Sequence, residues 1–229
     1  MSVVALVPAA GRGVRLGAGV PKALVPVKGE SLLSRAVRGL LDSGRVRHVV
    51  VAAPADQVDL VRAELAATES AHVVAGGAER TDSVRRALDE ALRVVPDASV
   101  VLVHDAARAF TPASVVRDVV DAVEAGAPAV IPVLPVTDTV KEVDETGAVV
   151  TTVDRTRLRA VQTPQGFAVD VLQRAYAESG DIATDDAGLV ERLGVPVRTV
   201  PGHPDALKIT TAFDLAVAES VLAPAGEPA

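Results

Sequence analysis

Strand-length apolar runs alternate with amphipathic helical stretches along most of this chain, and few folds are compatible with that alternation. Val3–Val7 is an unbroken apolar run and predicts a buried strand. Ser31–Leu41 follows as a helix, with Leu32, Leu33, Ala36, Val37, Leu40 and Leu41 on one face and Ser31 at its N-cap. Strands are then expected at Val46–Ala53, His72–Ala75, Ser99–Val103 and Ala129–Val133. Helices at Asp56–Ala66, Thr81–Leu92 and Pro112–Glu124 separate them. Strand–helix–strand repetition of this kind implies a mostly parallel sheet with helices on both faces, an α/β Rossmann-like arrangement.

The alternation breaks after Pro135. Thr137–Val143 and Ala148–Val153 flank the polar turn Asp144-Glu145-Thr146-Gly147, which predicts a hairpin projecting as a β-arm over about 135–157. An isolated hairpin is marginal in water, so the arm is expected to pack on something else, a partner subunit being a candidate. Beyond it a strand is expected near Arg159–Gln162, helices near Val169–Glu178 and Asp185–Leu193, and a strand at Val197–Val200. Ala206–Ile209 reads as a further short strand before a last helix over Ala212–Leu222. Residues 223–229 read as a frayed tail, and with no repeat or long linker the 229 residues are read as one domain.

Several function classes are disfavoured. The net charge is −7 and aromatics are 2% of residues, which argues against a general nucleic-acid binder. There is no cysteine, hence no disulfide framework, thiolate nucleophile or thiolate metal site. No apolar stretch reaches the ~18 residues that a membrane helix needs. The first apolar run lacks a basic flank and reads as a strand rather than a signal peptide, so a cytoplasmic protein is expected.

An acidic protein can still bind a polyphosphate where its cations are concentrated. The first strand runs into Pro8-Ala9-Ala10-Gly11-Arg12-Gly13-Val14-Arg15-Leu16-Gly17, followed by Val20-Pro21-Lys22. Small residues there let backbone amides approach phosphates, and Arg12, Arg15 and Lys22 stand close together with no acid between them. The loop is neither a dinucleotide fingerprint, since the third glycine is missing, nor a Walker A loop. Asp105 ends a central strand, where ligands gather in open α/β sheets; it either meets substrate through Mg²⁺ or caps the next turn beside Arg108. His104 has no paired acid or nucleophile and is read as orienting that turn. Thr184-Asp185-Asp186 reads as a helix cap rather than a metal pair.

The first loop resembles those of sugar-phosphate nucleotidyltransferases. The likeness narrows along the chain to the 2-C-methyl-D-erythritol 4-phosphate cytidylyltransferases. It is carried by Gly76-Gly77-Ala78-Glu79-Arg80-Thr81-Asp82-Ser83-Val84, Leu102-Val103-His104-Asp105-Ala106-Ala107-Arg108, Thr137-Asp138-Thr139-Val140-Lys141, Thr152-Val153-Asp154-Arg155, Gln162-Thr163-Pro164-Gln165-Gly166-Phe167 and Asp205-Ala206-Leu207-Lys208-Ile209-Thr210. The resemblance implies Arg15 and Lys22 as transition-state cations. It implies nucleotide contacts from Pro8, Ala9, Ala10, Gly11, Gly13, Gly76, Gly77, Ala78, Ser83, Asp105 and Ala106, and acceptor contacts from Arg108, Thr139, Arg155, Asp205 and Lys208. It further implies Mg²⁺ as cofactor, with Asp105 near it, and a homodimer in which Thr139 and Arg155 on the arm reach the partner's site.

The expected reaction is transfer of CMP from CTP to methylerythritol phosphate in non-mevalonate isoprenoid synthesis. One feature of the residues agrees with a phosphate acceptor: there are several cations and no convincing acid–base pair, and a phosphate monoester is already largely ionised at neutrality. Cytidylylation of another polyol phosphate, such as ribitol phosphate, and a catalytically silent nucleotide-binding regulator stay open at this point.

Overall fold

In a computed structural model, which describes residues 1–11, 21–178 and 185–222, the apolar runs form one eight-stranded mixed sheet. Its strands are β1 (Ser2–Pro8), β4 (His48–Ala53), β5 (Ala71–Ala75), β6 (Ala98–Val103), β7 (Ala129–Pro135), β10 (Arg159–Val161), β11 (Gln165–Ala168) and β12 (Val197–Pro201). Two small hairpins supply the remaining strands, β2 (Pro26–Val27) with β3 (Glu30–Ser31) and β8 (Val140–Val143) with β9 (Val149–Val153). The helices are α1 (Leu32–Asp42), α2 (Val58–Glu64), α3 (Arg80–Val94), α4 (Ala113–Glu124), α5 (Val169–Glu178), α6 (Asp186–Arg192) and α7 (Ala212–Val217).

Strand β1 lies between β4 and β6, parallel to both, and β5 is parallel to β4 on its outer side. The chain leaves β1 in one direction, through β4 and β5, and then crosses to β6 on the other. Strand order therefore reverses at β1, and the loops at the carboxyl ends of β1, β5 and β6 surround one crevice.

The two-residue period of the strands sorts the valines onto two faces. Val3, Ala5 and Val7 pack with Leu33, Val37 and Leu40 of α1 and Val116, Val119, Val120 and Val123 of α4. Val4 and Leu6 pack on the opposite face with Val84, Ala87, Leu88 and Ala91 of α3, Val171 and Leu172 of α5, and Leu189 and Val190 of α6. Helix α1 is capped as expected, the Ser31 side chain accepting from the Ser34 amide.

Two expectations need correction, and one strand, β11, lies where the sequence analysis assigned no element. It runs antiparallel between β6 and β7, and Gly166 is accommodated because a Cβ there would lie 2.5 Å from Val119. The segment read as a short strand at Ala206–Ile209 opens instead with a 3-10 turn, Pro204–Ala206, since proline at its start fixes a helical φ. The helix expected at Asp56–Ala66 is a 3-10 turn, Ala55–Gln57, followed by α2. Thr184 falls outside the described residues; Asp185 is the cap of α6, accepting from Gly188.

The arm is shorter than the sequence suggests, but it is a hairpin. Asp144 accepts from the Thr146 and Ala148 amides, and Gly147 sits at φ +85, which closes the turn. Strands β8 and β9 pair with each other only, and Val143, Val149 and Val150 on them are exposed.

Candidate active site

The crevice at the strand ends is an open cleft of about 370 Å³. From the β1 loop come Pro8, Ala10, Gly11 and Lys22; from the β5–α3 loop, Gly77, Ala78, Glu79, Arg80 and Ser83; from β6, Asp105; and from the late segment, Lys208. A smaller lobe shares Pro8, Gly11, Lys22, Asp105 and Lys208 and adds Ala9 and Ala106. The amide of Ala9 donates to Ala52 at 2.8 Å, which ties the start of the loop to β4. Lys22 opens a 3-10 turn, Lys22–Leu24, behind Pro21. Arg12, Gly13 and Arg15 lie outside the described residues.

The glycine wall has a steric reason. A Cβ on Gly76 would lie 2.7 Å from the Ala10 side chain and 2.9 Å from Ser83 Oγ, so the two loops touch only because no side chain intervenes. Gly77 packs against Asp82, 2.1 Å from where its Cβ would stand. Ser83 is buried; its hydroxyl accepts from the Gly77 amide at 3.1 Å and donates to the Glu79 carbonyl at 3.1 Å. Arg86 donates to the Gly76 carbonyl at 2.9 Å from the other side. The loop is thus fixed by its own helix before any ligand arrives.

Asp105 is set by Thr163, whose Oγ accepts the Asp105 amide at 3.0 Å and lies 3.1 Å from His104 Nδ1. The Asp105 carboxylate faces two cations, Lys208 at 2.8 Å and Arg80 at 3.7 Å. Burial alone would raise its pKa, but Lys208 and Arg80 outweigh that and hold it below the usual carboxylate range. Asp105 is therefore ionised at neutral pH.

His104 is buried in the turn rather than placed for proton transfer. Burial pushes its pKa down to about 4, so it is neutral under ordinary conditions. The unfolded chain protonates this histidine below about pH 6.5, whereas the folded protein resists until about 4. The favourable contribution is present above 6.5 and is lost as pH falls towards 4. Urea unfolding at pH 7 and pH 4 should show a loss of about 3 kcal/mol from this group. His104→Gln should flatten that part of the profile, and an unchanged profile would refute the assignment.

The structure does not bring every expected acceptor residue to the cleft. Arg108 donates instead to the carbonyls of Ala206 at 2.7 Å and Val161 at 3.1 Å, because its loop packs under the segment that carries Lys208. Asp205 is outside the cleft lining and its amide donates to His203 Nδ1 at 3.1 Å. Thr139 and Arg155 are exposed on and beside the arm, where Arg155 donates to the Thr137 carbonyl. Two charged cleft residues, Glu79 and Arg80, lie in a motif that the sequence analysis quotes but were given no role there. Arg80 pairs with Asp186, and nothing in the chain at either position signals a partner so far away.

The model of the 2-C-methyl-D-erythritol 4-phosphate cytidylyltransferase family matches residues 3–224, nearly the full chain. The chain belongs to this family. It is 82% identical over 224 residues to the cytidylyltransferase of that name from Saccharopolyspora erythraea, covering 97% of this chain and 100% of that one. It is 57% identical to the one from Rhodococcus jostii, covering 96% and 95%. The crystal structure of the Thermus thermophilus cytidylyltransferase superposes with a TM-score of 0.77 at 37% identity, over 97% of this chain and 99% of that chain. The mixed sheet and its strand-end cleft are thus those of a nucleotidyltransferase. No helix among the described residues is long and apolar enough to cross a membrane.

Proposed function

We propose that the cleft binds CTP and transfers its cytidylyl group to 2-C-methyl-D-erythritol 4-phosphate, giving 4-diphosphocytidyl-2-C-methyl-D-erythritol and pyrophosphate, a step of non-mevalonate isoprenoid synthesis. One observation carries the chemistry. Three cations, Lys22, Arg80 and Lys208, line the same cleft as Glu79 and an ionised Asp105 that two of them hold, while the nearby histidine is buried and neutral. Such a site stabilises charge, and Asp105, held below the usual carboxylate range by its cations, is a poor base for a hydroxyl. A phosphate oxygen, already ionised, attacks the α-phosphorus in line; the bond to the β-phosphate bridging oxygen breaks and pyrophosphate leaves with the electron pair.

The wall of Gly76, Gly77 and Ala78 takes the pyrimidine against backbone groups. The β1 loop, with Pro8, Ala9, Ala10 and Gly11, takes the phosphates beside Ala106. Arg15 and Lys22 stabilise the charge that develops as pyrophosphate departs. Ser83 serves by holding the Gly77 amide, and Lys208 receives the acceptor phosphate. Arg108 acts through the segment that it holds.

Magnesium fits a site of this composition. Among the described residues there is no cluster of three or more His, Asp or Glu to cage a metal. Mg²⁺ commonly takes one carboxylate and fills its shell with substrate oxygens and water. Asp105, which lines both lobes of the cleft, is the strand-end carboxylate that would hold it, directly or through water. Bound there, the ion would supply positive charge against the phosphates.

The arm supports a homodimer. Its strands pair only with one another and expose Val143, Val149 and Val150, which favours burial against a second copy that would receive Thr139 and Arg155. A cytoplasmic setting, where CTP is available, suits this reaction.

Pyrophosphate release with Mg²⁺, each of the four nucleoside triphosphates, and either methylerythritol phosphate or ribitol phosphate tests the reading. Release is expected only with CTP and methylerythritol phosphate. Turnover with ribitol phosphate alone would reassign the acceptor, and no turnover with any pair would refute the activity.

A further inference from the structure

Arg80 is a cleft cation that the proposed reaction leaves without a task. It opens α3, and its Nη2 donates to Oδ2 of Asp186 at 2.7 Å while lying 3.7 Å from Oδ1 of Asp105. Asp186 is fully buried at the start of α6, and its other oxygen accepts from the Tyr176 hydroxyl at 2.5 Å. Asp105 in turn gives its second oxygen to Lys208 at 2.8 Å. From the core to the cleft the charges alternate in sign: Asp186, Arg80, Asp105, Lys208.

The order of anchoring matters. Arg80 is held by a carboxylate that solvent does not reach, so it stays in place when substrates enter. Lys208 is about half-exposed on a flexible stem and has Asp105 as its one ion-pair partner among the described residues. A carboxylate that faces a second cation holds the first less tightly, because the cations repel and share its charge.

We propose that Arg80 is a positioning residue for the acceptor phosphate: by sharing Asp105 with Lys208 it loosens that ion pair and leaves Lys208 able to turn its charge onto the acceptor. The inference rests on the assignment of Lys208 to the acceptor side. Without Arg80, Lys208 is the one protein cation among the described residues left facing Asp105, and the acceptor must compete with a tighter internal partner.

The test is steady-state pyrophosphate release with each substrate varied in turn. The double variant R80Q/D186N removes both charges of the buried pair and keeps an amide in each place; R80Q alone serves if the pair does not fold in a thermal melt. The KM for methylerythritol phosphate is expected to rise about tenfold and that for CTP to stay within about twofold, a coupling of ordinary size for neighbouring charges. R80K, which keeps the charge, should recover most of the loss. In a K208A background the same substitutions should no longer change acceptor kinetics. An unchanged acceptor KM, equal rises for both substrates, or an effect that survives K208A would overturn the proposal. Wild-type protein inactive with CTP and methylerythritol phosphate would instead overturn the reaction itself, so the two failures are distinguishable.

Discussion

Lys22→Ala is expected to lower kcat for CTP-dependent pyrophosphate release about 10²–10³-fold, the usual cost of losing one preorganised group that stabilises developing charge. The turn that carries Lys22 is rigid for reasons that the substitution leaves intact. Pro21 precedes it, Ala23 and Val25 behind it are buried, and the Val25 amide returns to the Lys22 carbonyl. A thermal melt should therefore change little while turnover collapses. If kcat survives and only the KM for CTP rises, Lys22 binds the ground state and transition state alike, and its assignment to the transition state is wrong.

Asp186→Ala is expected to be the most damaging single change for stability among the polar residues. It strips the Arg80 guanidinium and the Tyr176 hydroxyl of the same buried partner. Burial works against charge on Arg80, but Asp186 more than offsets it and keeps the guanidinium protonated; burial and the same carboxylate push the Tyr176 phenol up, so it stays a neutral donor. Breaking a buried pair from one side costs about 3–5 kcal/mol. In a domain of this size that lowers Tm by roughly 10 °C. The contrast is Arg45, which pairs with Asp121 and Glu124 on the surface. Removing it should cost less than about 1 kcal/mol. Equal Tm losses for the two variants would contradict the ranking.

Much of this was legible in the sequence because local pattern and burial coincide. Val3, Ala5 and Val7 alternate with Val4 and Leu6, and both sets are buried, so a continuous apolar run correctly meant a two-sided strand. The β11 strand was hidden for the opposite reason. Gln165 and Gly166 break its apolar run, yet Gln165 is buried because its amide donates to Asp185 and its carbonyl oxygen accepts from Ala187. The glycine wall was visible because a Gly-Gly pair before a helix has a local steric consequence. The Arg80–Asp186 pair was not, since only the shared core face that α3 and α6 both line brings those positions together. The backbone partners of Arg108 were equally out of sight: arginine suits phosphate, and nothing local announces that the carbonyls of Val161 and Ala206 accept from its guanidinium.

The independence of the arm has an evolutionary reading. Because β8 and β9, among the described residues, have no ladder pairing with the main sheet, substitutions there are insulated from the ladder that shapes the strand-end cleft. The residues proposed to meet the base and triphosphate come from the loops of β1, β5 and β6, all before the arm begins. A lineage could therefore trade one acceptor for another by rewriting the hairpin and the segment around Lys208, while inheriting its donor pocket unaltered.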